Sequence, residues 1–203
     1  VRIDQDHSWK WDEEITGHIL QESYSTQYFN NVFWQNDPDV VFLRNYKSDF
    51  TNDEQKSLAL WAGFTGGAIG ISDNFKTMEP EKLQLWRFLE PSTRPQSAML
   101  PFWGNNVINK VAVRRYKKVK AWSVLVLNDT DEVVTESYLL SDLIGIKEAW
   151  VFVWEPGFSL GLGRPTRISV TLGSHESKLY FISETKENPS LDLNISGNEF
   201  SEE

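Results

Sequence analysis

Ala68-Ile69-Gly70-Ile71-Ser72-Asp73-Asn74 is a run of small and apolar residues that turns polar at its C-terminal end. An uninterrupted small, apolar run is how a strand reads when both faces are covered, as in a parallel sheet. Its neighbours read as helices. Upstream, Thr51-Asn52-Asp53-Glu54 fits a capping box, in which the Thr51 hydroxyl takes an orphan N–H and Glu54 reaches back to the Thr51 amide. Leu58, Trp61 and Phe64 mark the buried stripe of that helix, and Gly66-Gly67 ends it. Downstream, Pro80 suits the first turn of another helix, with Leu83, Trp86 and Leu89 as its apolar face.

The same alternation continues toward the N-terminus. Val40 to Leu43 and Val32-Phe33-Trp34 read as short strands around the turn chemistry of Asn36-Asp37-Pro38-Asp39, where Asn and Asp bond their own backbone and Pro fixes φ. Asp12 to Phe29 reads as a helix, with Ile15, Ile19, Leu20, Tyr24 and Tyr28 near a 3.6-residue period. Val1 to Ile3 reads as the end of a strand, so residues 1–94 spell β-α-β-α-β-α. Such a repeat means an open α/β sheet or a (β/α)8 barrel. Three units do not close an eight-stranded barrel, and about five strands are expected from elsewhere.

Beyond the linker Glu90-Pro91-Ser92-Thr93-Arg94-Pro95 the pattern changes. Strand-like runs recur at Lys110 to Tyr116, Ala121 to Leu127, Val133 to Leu140, Ala149 to Glu155, Arg167 to Leu172 and Lys178 to Glu184. They are rich in Val, Ile, Trp, Tyr and Phe and are separated by Asn, Asp, Gly and Pro. Trp122, Val124 and Val126 fall on one face of their strand. Residues 95–203 are expected to form an antiparallel β-sandwich, with a polar, acidic tail from Lys186. The fold class is therefore α/β plus all-β.

Composition limits what the 203 residues do. A net charge of -9 disfavours a nucleic-acid or anionic-membrane partner. No cysteine is present, which excludes disulfides and thiolate metal sites. No apolar run reaches the ~20 residues of a membrane span. The sequence calls for no metal and no cofactor; a nicotinamide or phosphate enzyme would need a glycine-rich loop that Gly66-Gly67 and Gly161-Leu162-Gly163 do not supply. The chain is read as soluble, cytoplasmic or secreted. Nine tryptophans are present; such rings fill cores or stack on the C–H faces of sugars.

In a barrel, chemistry sits at the C-terminal ends of strands. Three such ends are expected: Arg2, Asp4 and Asp6; then Trp34, Asn36, Asp37 and Asp39; then Ser72, Asp73 and Asn74. Carboxylates, an arginine and tryptophans on one rim suit glycoside hydrolysis, where one carboxyl protonates the leaving oxygen and another attacks or activates water. Aspartate at strand ends is also an ordinary helix cap or turn former.

Arg2-Ile3-Asp4-Gln5-Asp6, with Trp11 downstream, resembles the Arg-x-x-x-Asp stretch of the melibiase-like α-galactosidases of glycoside hydrolase family 36 and its clan. Phe33-Trp34-Gln35-Asn36-Asp37-Pro38-Asp39 resembles their Trp-x-Asn-Asp-Pro-Asp segment. Leu58-Ala59-Leu60-Trp61-Ala62 through Ile71-Ser72-Asp73-Asn74 resembles their last helix-strand unit. The likeness covers residues 1–90 in order. It implies that Arg2 binds sugar hydroxyls and that Asp6 is the catalytic acid/base. Trp9, Trp11 and Trp34 would form substrate walls, and the substrate would be an α-galactoside oligosaccharide. A general acid must hold its proton at working pH, which calls for a partly apolar, enclosed setting; Trp9 and Trp11 are the residues expected to supply it.

Some positions depart from the family. Asp4-Gln5 stand where it often has small residues, so Asp4 competes with Asp6 by counting; the four-residue step from Arg2 favours Asp6. His7 either orients Asp6 or is a surface residue, and Asp37 and Asp39 look like anchors. Retaining members carry their nucleophile in an earlier Lys-x-Asp segment. Lys47-Ser48-Asp49 has that spelling but follows the second strand, so the nucleophile is expected from a segment outside these 203 residues. The expectation is the C-terminal portion of a catalytic unit, partnered by the upstream part of the same barrel and oligomeric in solution. The competing expectation is a non-catalytic carbohydrate-binding or structural module.

Overall fold

The computed structural model describes residues 6, 8–65, 69–89, 101, 109–116, 120–156 and 158–186, with the side chains of 13–15, 87–89 and 109 set aside. Arg2, Asp4, His7, the strand end at Val1 to Ile3, the Gly66-Gly67 stop and the linker from Glu90 to Pro95 lie outside the described residues. The chain divides into two compact units, Val1–Ala98 and Met99–Glu203.

The first unit holds helices α1 (Glu13–Ser25), α2 (Asn52–Thr65) and α3 (Pro80–Leu89), with two short strands, β1 (Val40–Val41) and β2 (Gly70–Ile71), between them. β1 and β2 pair in parallel, Val40 with Gly70 and Val41 with Ile71. A side chain on Gly70 would crowd Val40, whose Cγ1 lies 3.2 Å from the position a Cβ would take. Gly70 and Ile71 are half-buried, so the strand is parallel as its composition predicts but less covered.

The capping box on α2 forms: the Thr51 amide donates to the Glu54 carboxylate at 2.7 Å, and the Glu54 amide to the Thr51 hydroxyl at 3.2 Å. Reciprocal satisfaction of orphan donors is what fixes this helix start. Trp61 and Phe64 are buried as expected, while Leu58 is half-buried. Ala59, Leu60 and Ala62 are buried too, so α2 is covered on more than one face. Among the described side chains of α3, Leu85 is buried and Leu83 and Trp86 are half-exposed, while that of Leu89 lies outside the described residues.

One expected strand is absent. Asn31 to Phe33 form a turn, with Asn31 at φ 60°, and Val32 and Phe33 are 68% and 75% exposed. The Asn31 amide donates to the Trp34 carbonyl at 2.7 Å, closing this turn on itself. Local turn bonds outcompete the ladder that an apolar run alone would predict. The unit's described strands are therefore one parallel pair.

The described strands of the second unit all pair antiparallel. β3 (Asn109–Tyr116), β4 (Ala121–Asn128), β6 (Trp150–Glu155), β7 (Phe158–Gly163) and β9 (Ser177–Ser183) form a five-stranded sheet in the order β3-β4-β9-β6-β7. β5 (Val134–Leu139) and β8 (Arg167–Leu172) form a two-stranded sheet, and a short helix, α4 (Leu140–Ile144), follows β5. One apolar cluster draws on both sheets: Val124, Val126, Val151 and Ile182 from the larger, Ile168, Val170 and Leu172 from the smaller, and Leu143 from α4. Trp122 joins this face as expected. Every residue of β4 is buried, Leu125 and Leu127 on its other face included.

The six strand runs read from sequence correspond to six of these strands; β7 and α4 are additional. Asn128, the acceptor of a glycosylation-type triplet, is fully buried and its amide donates to the carbonyls of Glu132 and Gly173 at 2.7 and 2.8 Å. It is a loop anchor rather than a glycan site.

Candidate functional site

The parallel pair sets the geometry of the first unit. β1 ends at Val41 and β2 at Ile71, so their C-terminal ends are Phe42 to Tyr46 and Ser72 to Asn74. The expected second rim group, Trp34, Asn36, Asp37 and Asp39, instead precedes β1. That correction follows from the lost strand at residues 32–34: the chain turns there and enters the ladder only at Val40.

The residues before β1 form a buried polar joint. Asn36 is fully buried. Its side-chain oxygen accepts the Trp34 indole N–H at 2.9 Å, its Nδ2 donates to the Thr26 hydroxyl at 3.0 Å, and its backbone N–H donates to Asn30 Oδ1 at 2.9 Å. Asn30 and Gln27 both donate to the Thr65 carbonyl at the end of α2, at 2.8 and 2.6 Å. The Asp37 carboxylate accepts the Asp39 amide at 3.1 Å, an Asx turn around Pro38 that holds Asp39 at φ 73°. Asp37 is thereby an anchor of the backbone. Trp34 lies against Phe29, ring centroids 4.8 Å apart, half-buried with its indole N–H committed to Asn36.

Asp6 is exposed. Trp9 is 63% exposed and Trp11 half-buried, so the described residues do not form around Asp6 the enclosed setting that an acid requires. The Trp9 carbonyl accepts the Asp49 amide at 2.8 Å. That bond ties the segment after Asp6 to the loop after β1, and it places the Lys47-Ser48-Asp49 spelling in a turn where Lys47 takes φ 51°.

At the C-terminal ends of β1 and β2, charge is arranged in detail. The Asp73 side chain is 2% exposed; it accepts the Leu43 amide at 2.6 Å and forms an ion pair with Arg44 at 3.1 Å. Arg44 also donates to the Ser72 hydroxyl at 2.6 Å and the Tyr46 carbonyl at 3.1 Å, and its guanidinium lies over the Phe42 ring at 4.6 Å. Lys82 on α3 donates to Gln55 Oε1 at 2.6 Å and to Asn45 Oδ1. Asn45 in turn donates to Glu79 at 2.8 Å. Burial lowers the pKa of Lys82, and the carboxylates of Glu79 and Asp73 work against that shift. Sequence reading singled out Asp73 but missed Arg44, Glu79 and Lys82. Arg44 follows β1 while Glu79 and Lys82 sit at the start of α3, and only the fold brings the two segments together.

Among the described residues, no cluster of His, Asp or Glu is arranged to hold a metal ion, and no helix is long and apolar enough to cross a membrane.

The chain shares its fold with α-galactosidase-type glycoside hydrolases. It superposes on a GH27 β-L-arabinopyranosidase from Geobacillus stearothermophilus with a TM-score of 0.73 and 18% identity, covering 91% of this chain and 45% of that one. On α-galactosidase I from Mortierella vinacea the values are 0.67 and 14%, over 92% and 54% of the chains. On the α-galactosidase of Saccharomyces cerevisiae they are 0.69 and 11%, over 91% and 59%. The chain thus spans about half the length of these structures. The first of them is a family 27 enzyme, so the comparison agrees with a melibiase-like likeness without selecting family 36. No family model and no curated protein sequence matches the chain.

Proposed function

We propose that this chain is the acid/base-bearing C-terminal portion of a retaining, α-galactosidase-like glycoside hydrolase. Its nucleophile would come from an upstream segment of the same catalytic barrel. The observation that carries this reading is the superposition of nine-tenths of the chain on roughly half of each of several glycoside hydrolases, together with Arg2, Asp6 and the Asn36–Asp39 segment in the order of the melibiase motif. In this reading residues 1–94 supply barrel strands and helices, and residues 95–203 the C-terminal β-sandwich.

The chemistry assigns Asp6 to protonate the leaving glycosidic oxygen and then to deprotonate the attacking water, while Arg2 grips sugar hydroxyls through its planar, always charged fork. Retention needs a second carboxyl about 5–5.5 Å away, which the upstream strands would bring. Those strands would also enclose Asp6, whose exposure in this chain is what a half-assembled acid site presents. Trp9, Trp11 and Trp34 are substrate-wall candidates. Trp9 has the most free ring surface of the three, and Trp34 the least adaptable indole, since its N–H already serves Asn36.

The test is complementation. The chain alone is expected not to turn over an aryl α-galactoside, and joining it to an upstream barrel half from a related hydrolase is expected to restore turnover. In that assembly Asp6→Ala should lose roughly 10²–10⁴-fold in kcat, with Asp4→Ala much less affected. Full activity in Asp6→Ala overturns the assignment. Turnover by the chain alone refutes the need for an upstream nucleophile. Binding of oligosaccharide with no restored turnover favours the carbohydrate-binding module instead.

A further inference from the structure

The outermost strand of the larger sheet carries an apolar stripe without cover. β7 pairs with β6 and, among the described residues, with no other strand. Val153 stands opposite Leu160, and Glu155 opposite Phe158; opposed residues of an antiparallel pair share a face. That face is buried at Val151 and packed at Val153, yet Phe158, Leu160 and Leu162 are exposed. From Phe158 to Gly163 there is no charge and no proline. Those are common guards of an edge strand, whose alternate N–H and C=O groups point outward.

The chain itself supplies a segment of matching pattern. Residues 187–203 lie outside the described residues. Within them Leu191-Asp192-Leu193-Asn194-Ile195 alternates apolar and polar with the period of a strand. β9 sets the path toward β7. Ser183, last in β9, pairs with Trp150, and Gly163, last in β7, pairs with Val151, so both strands end on the same side of the sheet. Beyond β9, the Lys186 Nζ lies 5.8 Å from the centroid of the Trp150 ring, which draws the chain toward β6 and β7 rather than toward β4. The slot beyond β7 is three strand spacings from β9, ~14 Å. The residues from Ser183 to Leu191 reach ~26 Å when extended. A segment that enters the slot from this side runs antiparallel to β7. A second copy of the chain fits less well. Three side chains fall short of the ~800 Å² per partner that a stable dimer buries, and a net charge of -9 opposes self-association. A tethered segment instead arrives at a millimolar effective concentration.

We propose that Leu191 to Ile195 adds to β7 as a sixth strand of the larger sheet, with Leu193 opposite Leu160. That register sets Leu191 beside Leu162 and Ile195 beside Phe158, and puts Asp192 and Asn194 on the face of Gly161 and Ser159. The added strand takes up the outward backbone groups of β7 and covers its apolar stripe.

Hydrogen exchange on the full chain tests this. The outward amides of residues 158–162 are expected to be protected. Truncation after Lys186 and, separately, Leu193→Asp should each speed their exchange about tenfold, while the amides of β4 keep their protection. The absence of cysteine allows a direct second reading. Leu160→Cys combined with Leu193→Cys, treated with a short bifunctional thiol linker, should close within one chain, and Leu160→Cys combined with Phe200→Cys should not. Unchanged exchange in both variants overturns the proposal. So does linkage formed only between chains, which would make β7 a dimer edge, and so does equal closure in the Phe200 pair, which would show a tail without a seat. Neither measurement involves sugar or turnover, so the proposal stands or falls apart from the hydrolytic reading.

Discussion

Helix α2 and strand β4 are both heavily buried, in different company. Around α2, burial is threaded with polar bonds. Gln27 and Asn30 donate to the Thr65 carbonyl, the Trp61 indole donates to the Ser23 hydroxyl at 2.6 Å, and Gln55 donates to the carbonyls of Arg44 and Phe50. Around β4, ladders to β3 and β9 carry the backbone, and the facing side chains of the shared cluster are almost all apolar. The difference is one of tolerance. An apolar cluster accepts volume-conserving exchange at small cost, whereas a buried hydrogen-bonded joint fixes position and leaves a costly orphan when one partner goes. Among the described residues the first unit has a two-residue parallel ladder to set its strand ends, and the polar joints add positional accuracy to it.

The contrast breaks most severely at Trp61, which belongs to both kinds of burial: it is 1% exposed, stacked near Tyr24 at 6.2 Å, and hydrogen-bonded to Ser23. Trp61→Ala is expected to cost about 4 kcal/mol, read as a fall in the urea midpoint by circular dichroism. Next comes Tyr180 in the apolar cluster. Burial pushes its phenol up to about 12, with the carboxylates of Glu176 and Glu155 and then Tyr138 adding to the shift. An unfolded tyrosine loses its proton near 10. The folded chain therefore keeps a proton that the unfolded chain releases, and this stabilisation is complete below about pH 10 and lost as pH rises to about 12. Tyr180→Phe should flatten that alkaline loss, worth at most about 3 kcal/mol, in denaturation curves taken across this window.

Smaller effects separate the two modes further. Asn36→Ala removes the acceptor for Trp34 and the donor to Thr26 and should cost about 2 kcal/mol. A comparable loss from Ile182→Leu, a volume-conserving exchange in the apolar cluster that should cost less, would show that the polar joint has no special standing. Thr51→Ala, which strips one half of the capping box, should cost about 1 kcal/mol, with Glu54→Gln milder because it can still accept the Thr51 amide.

What the sequence disclosed tracks how local each determinant is. The capping box needed four adjacent residues and formed as read. Six strands of the second unit carried enough β-branched and aromatic residues to be found. β7 did not: Phe158-Ser159-Leu160-Gly161-Leu162-Gly163 is diluted by glycine and serine, and its three apolar side chains are 62%, 60% and 47% exposed. Gly163, at φ 85°, pairs with Val151 where the β6–β7 register shifts, a place where L side chains strain and glycine does not. Val32-Phe33-Trp34 erred the other way, apolar in composition but turned by Asn31. At the candidate site, the motif residues Asp6, Asn36 and Asp37 were visible as letters. The exposure of Asp6 and the meeting of Arg44, Glu79 and Lys82 were not, because both depend on which segments the fold brings alongside.

The Asp73 carboxylate has a consequence for the order in which the first unit assembles. By accepting the Leu43 amide it adds a side-chain rung to the parallel pair, and that rung joins residues 30 apart. Closing so long a loop carries an entropy cost before any contact rewards it, while the turns of α2 nucleate among neighbours. Asp73 therefore acts as a late latch. Registration of β1 against β2 through it is expected to follow formation of the helices, and the same carboxylate holds Arg44 at the strand ends.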